Sequence, residues 1–193
     1  MNCDRIARWY RWMEYAAFGG SLRERREAFL FELGNPKKVL VLGDGDGRFL
    51  QVFAALYPAA EIDAVDVSGC MVELARARAE RVTFHVADAR EFEFAQEYDL
   101  AIAHFFFDCF ENEELKKMVA RVRTKSWLIS EFRNTKWSGP VLGGLYFFFR
   151  LTTGLRTKKL PDYWSVLNGL GFQVEKEQNA AGGLLVSEMW ARE

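Results

Sequence analysis

Three glycines at alternate positions, Gly43, Gly45 and Gly47, follow directly on the apolar run Val39-Leu40-Val41-Leu42. A buried strand that enters a helix through such a loop can turn sharply, and a ligand can approach its backbone with no Cβ in the way. The helix start just beyond offers N–H groups to a carboxylate or phosphate. A glycine-rich structural turn has the same spelling, so the surroundings must decide. The dinucleotide fingerprint would need its third glycine where Arg48 stands, and Arg is bulky where that fold packs helix tightly on strand. The spacing favours a different nucleoside ligand.

Two acids further along have the right chemistry. Asp66 ends the next strand-like run, Glu61 to Asp66, and a carboxylate there can accept both hydroxyls of a ribose. The competing role is at the start of the helix capped by Ser68. Asp88 follows a third run in Val86-Ala87-Asp88-Ala89, where its carboxylate can accept an adenine amino hydrogen while the Ala89 N–H meets a ring nitrogen. A solvated turn aspartate is the plain alternative. Loop, Asp66 and Asp88 lie at the carboxyl ends of successive strands, and in an open α/β sheet such ends converge on one crevice.

The elements that must hold these residues are legible. Residues 3–33 read as helical, with Ile6, Trp9, Tyr10, Met13 and Ala17 on one face, a break at Gly19-Gly20, and a restart capped by Ser21 with Glu24 as its capping-box partner. Strands are expected at 38–42, 61–66, 81–86, 99–103 and 126–131. Helices are expected at 48–57, 69–79 and 111–122. That alternation predicts a doubly wound α/β fold, a mostly parallel sheet with helices on both faces. A helix near 161–170 and two closely spaced strands, 172–177 and 184–190, then form an antiparallel hairpin at a sheet edge.

Composition bounds the rest. The 193 residues fit one domain. Half are apolar and 27% charged, which excludes a largely disordered chain. Net charge is −1, without the basic excess of a nucleic-acid binder. Cys3, Cys70 and Cys109 offer no disulfide framework or metal spacing, and two histidines, His85 and His104, cannot build a His-rich metal site. No signal run follows Met1, and the apolar stretch 141–149 is too short to span a bilayer. A soluble, cytoplasmic protein without a metal is expected.

On Val39–Gly47, Asp66, Val86–Ala89 and the strand Tyr98–His104, the sequence resembles the class I S-adenosylmethionine-dependent methyltransferases over about residues 38–132. The flanking segments resemble, less specifically, small-molecule members of the ubiquinone/menaquinone C-methyltransferase type. The resemblance implies a seven-stranded sheet whose reversed C-terminal strand is 184–190. It implies a helical lid at 1–34, a cofactor core at 35–132, and acceptor-side helices and hairpin at 133–193. S-adenosylmethionine would be held by Gly43, Asp44, Gly45, Gly47, Asp66, Val67, Asp88, Ala89 and His104. Val41 stands where the family usually has an acid, and Asp44 or Asp46 is the available substitute. No Asn/Asp-Pro-Pro-Tyr follows the fourth strand, which argues against methylation of nucleic-acid base amines.

A sulfonium methyl needs little activation, so such an enzyme mainly holds the nucleophile in line and excludes water. For an acceptor that must lose a proton, His104, Asp108 and Glu131 are the candidate bases. His104 is equally placed to pack or touch cofactor, and Asp108 to cap the next helix. Tyr10, Phe106, Trp137 and Tyr146 are candidate walls of an apolar or aromatic acceptor pocket, with Trp9 and Trp12 as further lid residues. Arg133 to Leu160 carries six basic residues and no acid. That suits an anionic, ring-bearing acceptor, an anionic membrane surface, or a solvated helical face. The expected function is methyl transfer to carbon or oxygen of a small acceptor. The alternatives are a nucleoside-binding regulatory module without turnover and an NAD(P)-dependent oxidoreductase.

Overall fold

The computed structural model describes residues 15, 18–136, 138, 139, 143, 144, 157 and 159–192. Tyr10, Trp9, Trp12, Trp137 and Tyr146, and with them most of the expected lid and acceptor walls, lie outside the described residues.

Seven strands form one sheet: β1 (Lys38–Leu42), β2 (Glu61–Asp66), β3 (Thr83–Val86), β4 (Tyr98–His104), β5 (Thr124–Phe132), β6 (Gln173–Ala180) and β7 (Leu185–Ala191), in the order β3-β2-β1-β4-β5-β7-β6. Strands β1 to β5 pair in parallel, and β7 runs antiparallel to both β5 and β6. The reversed strand is the expected one. Helices are α1 (Ser21–Arg26), α2 (Arg48–Leu56), α3 (Gly69–Arg76), α4 (Asn112–Arg121) and α5 (Tyr163–Gly169).

The central strands are apolar because both faces are covered. Leu40, Leu42, Ala101 and Ala103 face a core closed by Leu115, Met118 and Val119 of α4 and Leu167 of α5. Val39, Val41, Leu100 and Ile102 face the other core, closed by Phe49, Leu50 and Phe53 of α2. Helix α1 covers β5 and β7, where the hydroxyls of Ser130 and Ser187 both donate to the Arg25 carbonyl.

Some local expectations need correction. The capping box at Ser21 and Glu24 does not form. Gly20 is the N-cap, Ser21 is already helical, and no side chain caps the end. The helix stops at Arg26, and the chain continues as a single 3-10 turn, Leu30–Glu32. The capping box occurs instead at Glu111 and Glu114, opening α4. Ser68 does cap α3, accepting the Met71 N–H at 3.2 Å. Arg133, the first cation of the acid-free run, is not a solvated charge. It pairs with Glu177 at 2.8 Å and with the fully buried Glu188 at 2.5 Å, and so ties the end of β5 to the hairpin.

Candidate functional site

Strand register assembles the site. Leu42 pairs with Val65 on one side and Ala103 on the other. The next residue of each strand therefore stands at one level: Gly43, Asp66 and His104. Asp66 pairs in turn with Val86, which puts Asp88 just beyond the same rim. One sheet edge thus carries the glycine loop and both acids.

The loop is a backbone cradle. Gly43, Gly45 and Gly47 all have positive φ, between 65° and 82°. At Gly47 the reason is packing, because an added Cβ would lie 2.5 Å from Ala75 Cα of α3. At Gly43 a Cβ would collide with the Phe106 ring, so that ring roofs the loop's first turn. At Gly45 no atom lies within 4 Å of the Cβ position, so this turn faces open space. The Gly45 N–H donates to Asp66 Oδ2 at 3.2 Å, and the Ser68 N–H to Asp66 Oδ1 at 2.8 Å. Asp66 is thereby fixed to the loop on one side and to the start of α3 on the other. Beside it Val67 and Val86 are 41% and 55% exposed. Two bare apolar side chains next to a fixed carboxylate match the sugar and flat base of a nucleoside.

Asp88 is also at the rim, but Arg90 holds its carboxylate. Oδ1 accepts the Arg90 N–H and Nε, and Oδ2 accepts Nη2 at 2.6 Å. This ion pair keeps the Asp88 pKa below the ordinary range. An adenine amino group would have to compete with Arg90. The Ala89 carbonyl accepts from Arg121 Nη2 at 2.8 Å.

Asp44 and Asp46 diverge. Asp46 is bound by Arg48 at 2.8 Å and Arg78 at 3.3 Å. Asp44 accepts the Leu50 N–H at 3.3 Å, and burial pushes its pKa up to about 7 against the pull of the Arg26 cation. Val41, in the position where the family usually has an acid, is buried between Ala64 and Ile102 and offers no polar group. Of the two substitutes, Asp44 is the one not committed to an arginine pair.

His104 is 5% exposed and lies edge-on to Phe49 with ring centroids 4.6 Å apart. Both ring nitrogens are buried without a hydrogen-bond partner. Burial, and then the nearby Arg26, hold its pKa well below the ordinary value, so the ring is neutral and weakly basic. Asp108 does not cap α4, since Glu111 does; it sits in the 3-10 turn Phe107–Cys109, where burial raises its pKa to about 7. Glu131, 1% exposed, receives the Phe106 and Phe107 N–H groups on Oε1 at 2.9 and 2.6 Å, while Oε2 has no partner. Burial and the neighbouring Asp108 push its pKa well up. Glu131 thus shapes the turn after β4 and is removed from solvent as a base. His85, on β3, pairs with Asp63 at 3.0 Å, away from these groups.

Two features had no signal in the sequence. Arg26, from α1, lies over the Phe105 ring at 5.3 Å and acts electrostatically on both Asp44 and His104. Phe105 itself has φ +52°, a strained value for a residue with a Cβ, at the point where β4 turns into the site.

The methyltransferase domain family matches residues 39–125. A malonyl-[acyl-carrier protein] O-methyltransferase of Priestia megaterium is 33% identical over 101 residues, half of this chain and 37% of the relative. A trans-aconitate 2-methyltransferase of Methylobacterium radiotolerans is 43% identical over 54 residues, 28% of this chain and 21% of the relative. The chain therefore spans well under half the length of these curated relatives. Among solved structures, magnesium protoporphyrin IX methyltransferase from Synechocystis PCC 6803, with bound SAH, superposes with TM-score 0.67 at 16% identity, covering 96% of this chain and 88% of that one. The residues at the rim fit the donor of that family, with an open glycine turn at Gly45, a fixed acid at Asp66, bare apolar flanks at Val67 and Val86, and orphaned polar atoms on His104. The sheet order, the rim and the matched segment agree with a methyltransferase domain over residues 39–125.

Proposed function

We propose that this chain binds S-adenosylmethionine across the rim and transfers its methyl group to an oxygen of a small acceptor. The carrying observation is the hydrogen bond from the Gly45 N–H to Asp66, which locks loop and acid into one cradle. When bound, the donor supplies a methyl on a positively charged sulfur, which an oxygen lone pair can take without prior activation.

The chain's residues then have separate duties. Gly43 to Gly47 carry the amino-acid end, with Asp44 as partner for its ammonium in place of the missing acid at 41. Asp66 takes the ribose hydroxyls and Val67 packs on the base. Asp88 and the Ala89 N–H meet the base edge once Arg90 yields. His104 contacts the donor from below. Oxygen is favoured over carbon by the Priestia relative, an O-methyltransferase by name. A carboxylate acceptor needs no base. For a hydroxyl acceptor Asp108 is a better base than His104, because a pKa about 7 suits general-base work at neutral pH and the buried His104 is too weak a base. Phe106, roofing Gly43, is the described residue of the apolar wall on the acceptor side, and Tyr10, Trp137 and Tyr146, the other expected wall residues, lie outside the described residues. Contact of the basic run with an anionic membrane stays part of this proposal only for a lipophilic acceptor; no helix among the described residues is long and apolar enough to cross one.

Calorimetric titration with S-adenosylhomocysteine tests the cradle. Saturable binding is expected, weakened at least about tenfold by Asp66→Ala through loss of paired charge-assisted hydrogen bonds. A folded protein that gives no heat overturns the proposal. Methyl transfer from labelled donor across carboxylic-acid and phenol panels then separates oxygen acceptors from carbon ones.

A further inference from the structure

Asp88, the carboxylate offered to the base, is saturated within the chain. One residue fills it. Oδ1 accepts the Arg90 N–H at 2.9 Å and Arg90 Nε at 3.0 Å, and Oδ2 accepts Nε at 3.1 Å and Nη2 at 2.6 Å. A carboxylate has about four lone-pair sites, so none is left for an amino hydrogen of a base. Arg90 cannot yield by losing its charge, because a guanidinium stays protonated. Its side chain must move, and a cation that leaves one carboxylate needs another.

Helix α4 provides it. Arg90 Nη1, the one guanidinium nitrogen that Asp88 does not use, donates to Glu114 Oε1 at 2.9 Å. Glu114 is itself held in place, since its Oε2 accepts the Glu111 N–H at 3.2 Å in the capping box that opens the helix. Seven residues on, two turns along the same helix face, Arg121 Nη2 donates to the Ala89 and Arg90 carbonyls at 2.8 and 2.7 Å. One helix thus clamps the backbone beside Asp88 and presents a fixed anion to the side chain of Arg90. The Arg90 and Glu114 side chains are 40% and 41% exposed, which leaves the guanidinium room to swing between the two acids.

We propose that Glu114 is a positioning residue for the base of the cofactor and selects for a base that carries an amino group, by taking over Arg90 when Asp88 accepts the amino hydrogen. This role rests on Asp88 being the acid that meets the base, as proposed above. In the structure Nη2 is bonded to Asp88; on release it turns to Glu114, whose carboxylate then matches the guanidinium fork with two N–H groups. That second bond offsets part of what parting Arg90 from Asp88 costs. A base with a carbonyl in place of the amino group has no hydrogen to give Asp88, so it leaves Arg90 where it is and draws nothing from Glu114.

The test is calorimetric titration of the full chain with S-adenosylhomocysteine and with S-inosylhomocysteine, its counterpart with a carbonyl in place of the adenine amino group. Glu114→Gln is the first variant, because Gln serves a capping box as Glu does and leaves α4 formed. It is expected to weaken S-adenosylhomocysteine about two- to fivefold, the upper range for an exposed ion pair, and to leave the inosine compound within about 1.5-fold. In Arg90→Gln there is no cation to hand over, so adding Glu114→Gln is expected to change nothing further. The proposal is overturned if Glu114→Gln leaves S-adenosylhomocysteine binding unchanged, if it weakens both compounds equally, as general damage to the rim would, or if it acts just as strongly with Arg90→Gln present. A native chain that binds neither compound overturns the cofactor reading itself, and the role of Glu114 with it.

Discussion

Asp44 is a carboxyl group poised near neutrality inside the glycine loop proposed to hold the donor's amino-acid end. Burial raises its pKa to about 7, and only the Arg26 cation and one N–H oppose that. An ammonium group brought to the loop favours the ionised form, so binding expels a proton. At pH 7 about half a proton is expected to leave per S-adenosylhomocysteine bound, since the group starts near its midpoint. The binding enthalpy should then differ between phosphate and Tris buffers, and Asp44→Asn should remove the difference; equal enthalpies in the native chain would contradict the role. Glu131 makes a different kind of contribution. Its Oε1 satisfies two buried N–H groups of the turn after β4. Glu131→Ala leaves both unpaired and is expected to cost about 2–4 kcal/mol, while Glu131→Gln keeps an acceptor oxygen and stays within about 1 kcal/mol. Urea denaturation of the two variants measures this directly.

In the loop between β1 and α2 one glycine is required by packing and another faces open space, where the donor is proposed to bind. Gly45 and Gly47 share the left-handed conformation but differ in surroundings. Gly45→Ala bears only the conformational cost, about 1 kcal/mol. Gly47→Ala adds the collision with Ala75, and about 3 kcal/mol or more is expected in total. Thermal melts of the two variants should therefore separate clearly. Gly45→Ala, although well folded, should lose cofactor affinity because its methyl fills the open turn. Equal melting temperatures would mean that α3 can move away from the loop. The Asp88–Arg90 pair is a second element-level device, a rim acid held closed by its own neighbour. Arg90→Gln is expected to tighten S-adenosylhomocysteine binding if Asp88 receives the base, and a loss of affinity would place Arg90 among the binding groups instead.

At the scale of the molecule, the carboxyl groups set the pH dependence of stability with opposite signs. Asp44 and Asp108 have folded pKa values about 7, far above the ordinary 3.8. Between those values the folded state holds protons that the unfolded state has released, so stability falls as pH rises from about 4 to about 7 and is level above. Asp99, held at about 2 chiefly by Lys125, and Asp88, held down by Arg90, act in the other direction, and their contribution is lost as pH falls below 4. His104, kept neutral by burial, acts with Asp88 and Asp99, since its unfolded ring takes up a proton as pH falls below the ordinary 6.5. The aspartate contribution is therefore read by difference: melting temperatures of the native chain and Asp108→Asn across pH 3 to 8 are expected to diverge between pH 4 and 7, the variant losing less as pH rises. Curves that stay parallel over that range would refute the assignment.

The alternation of short apolar runs with amphipathic stretches already determined the parallel sheet, the reversed last strand and the rim positions of Gly43, Asp66 and Asp88. The reason is local: a strand buried on both faces must be continuously apolar, and the glycines and acids at its end interrupt the run visibly. Spacing alone left the partners open. Whether Asp88 faces a ligand or Arg90 depends on the turn they share, while whether Asp108 caps a helix or lies half-buried and whether Arg133 is solvated or clamped between Glu177 and Glu188 depend on packing and on residues distant in the chain. The capping box at Ser21 failed because Gly20 took the N-cap position, a choice the motif itself does not encode. Arg26 reaches Asp44, Phe105 and His104 only after α1 has been laid on β5 and β7. Charge partners and pKa values are properties of distances through space, and those exist only once the chain has folded.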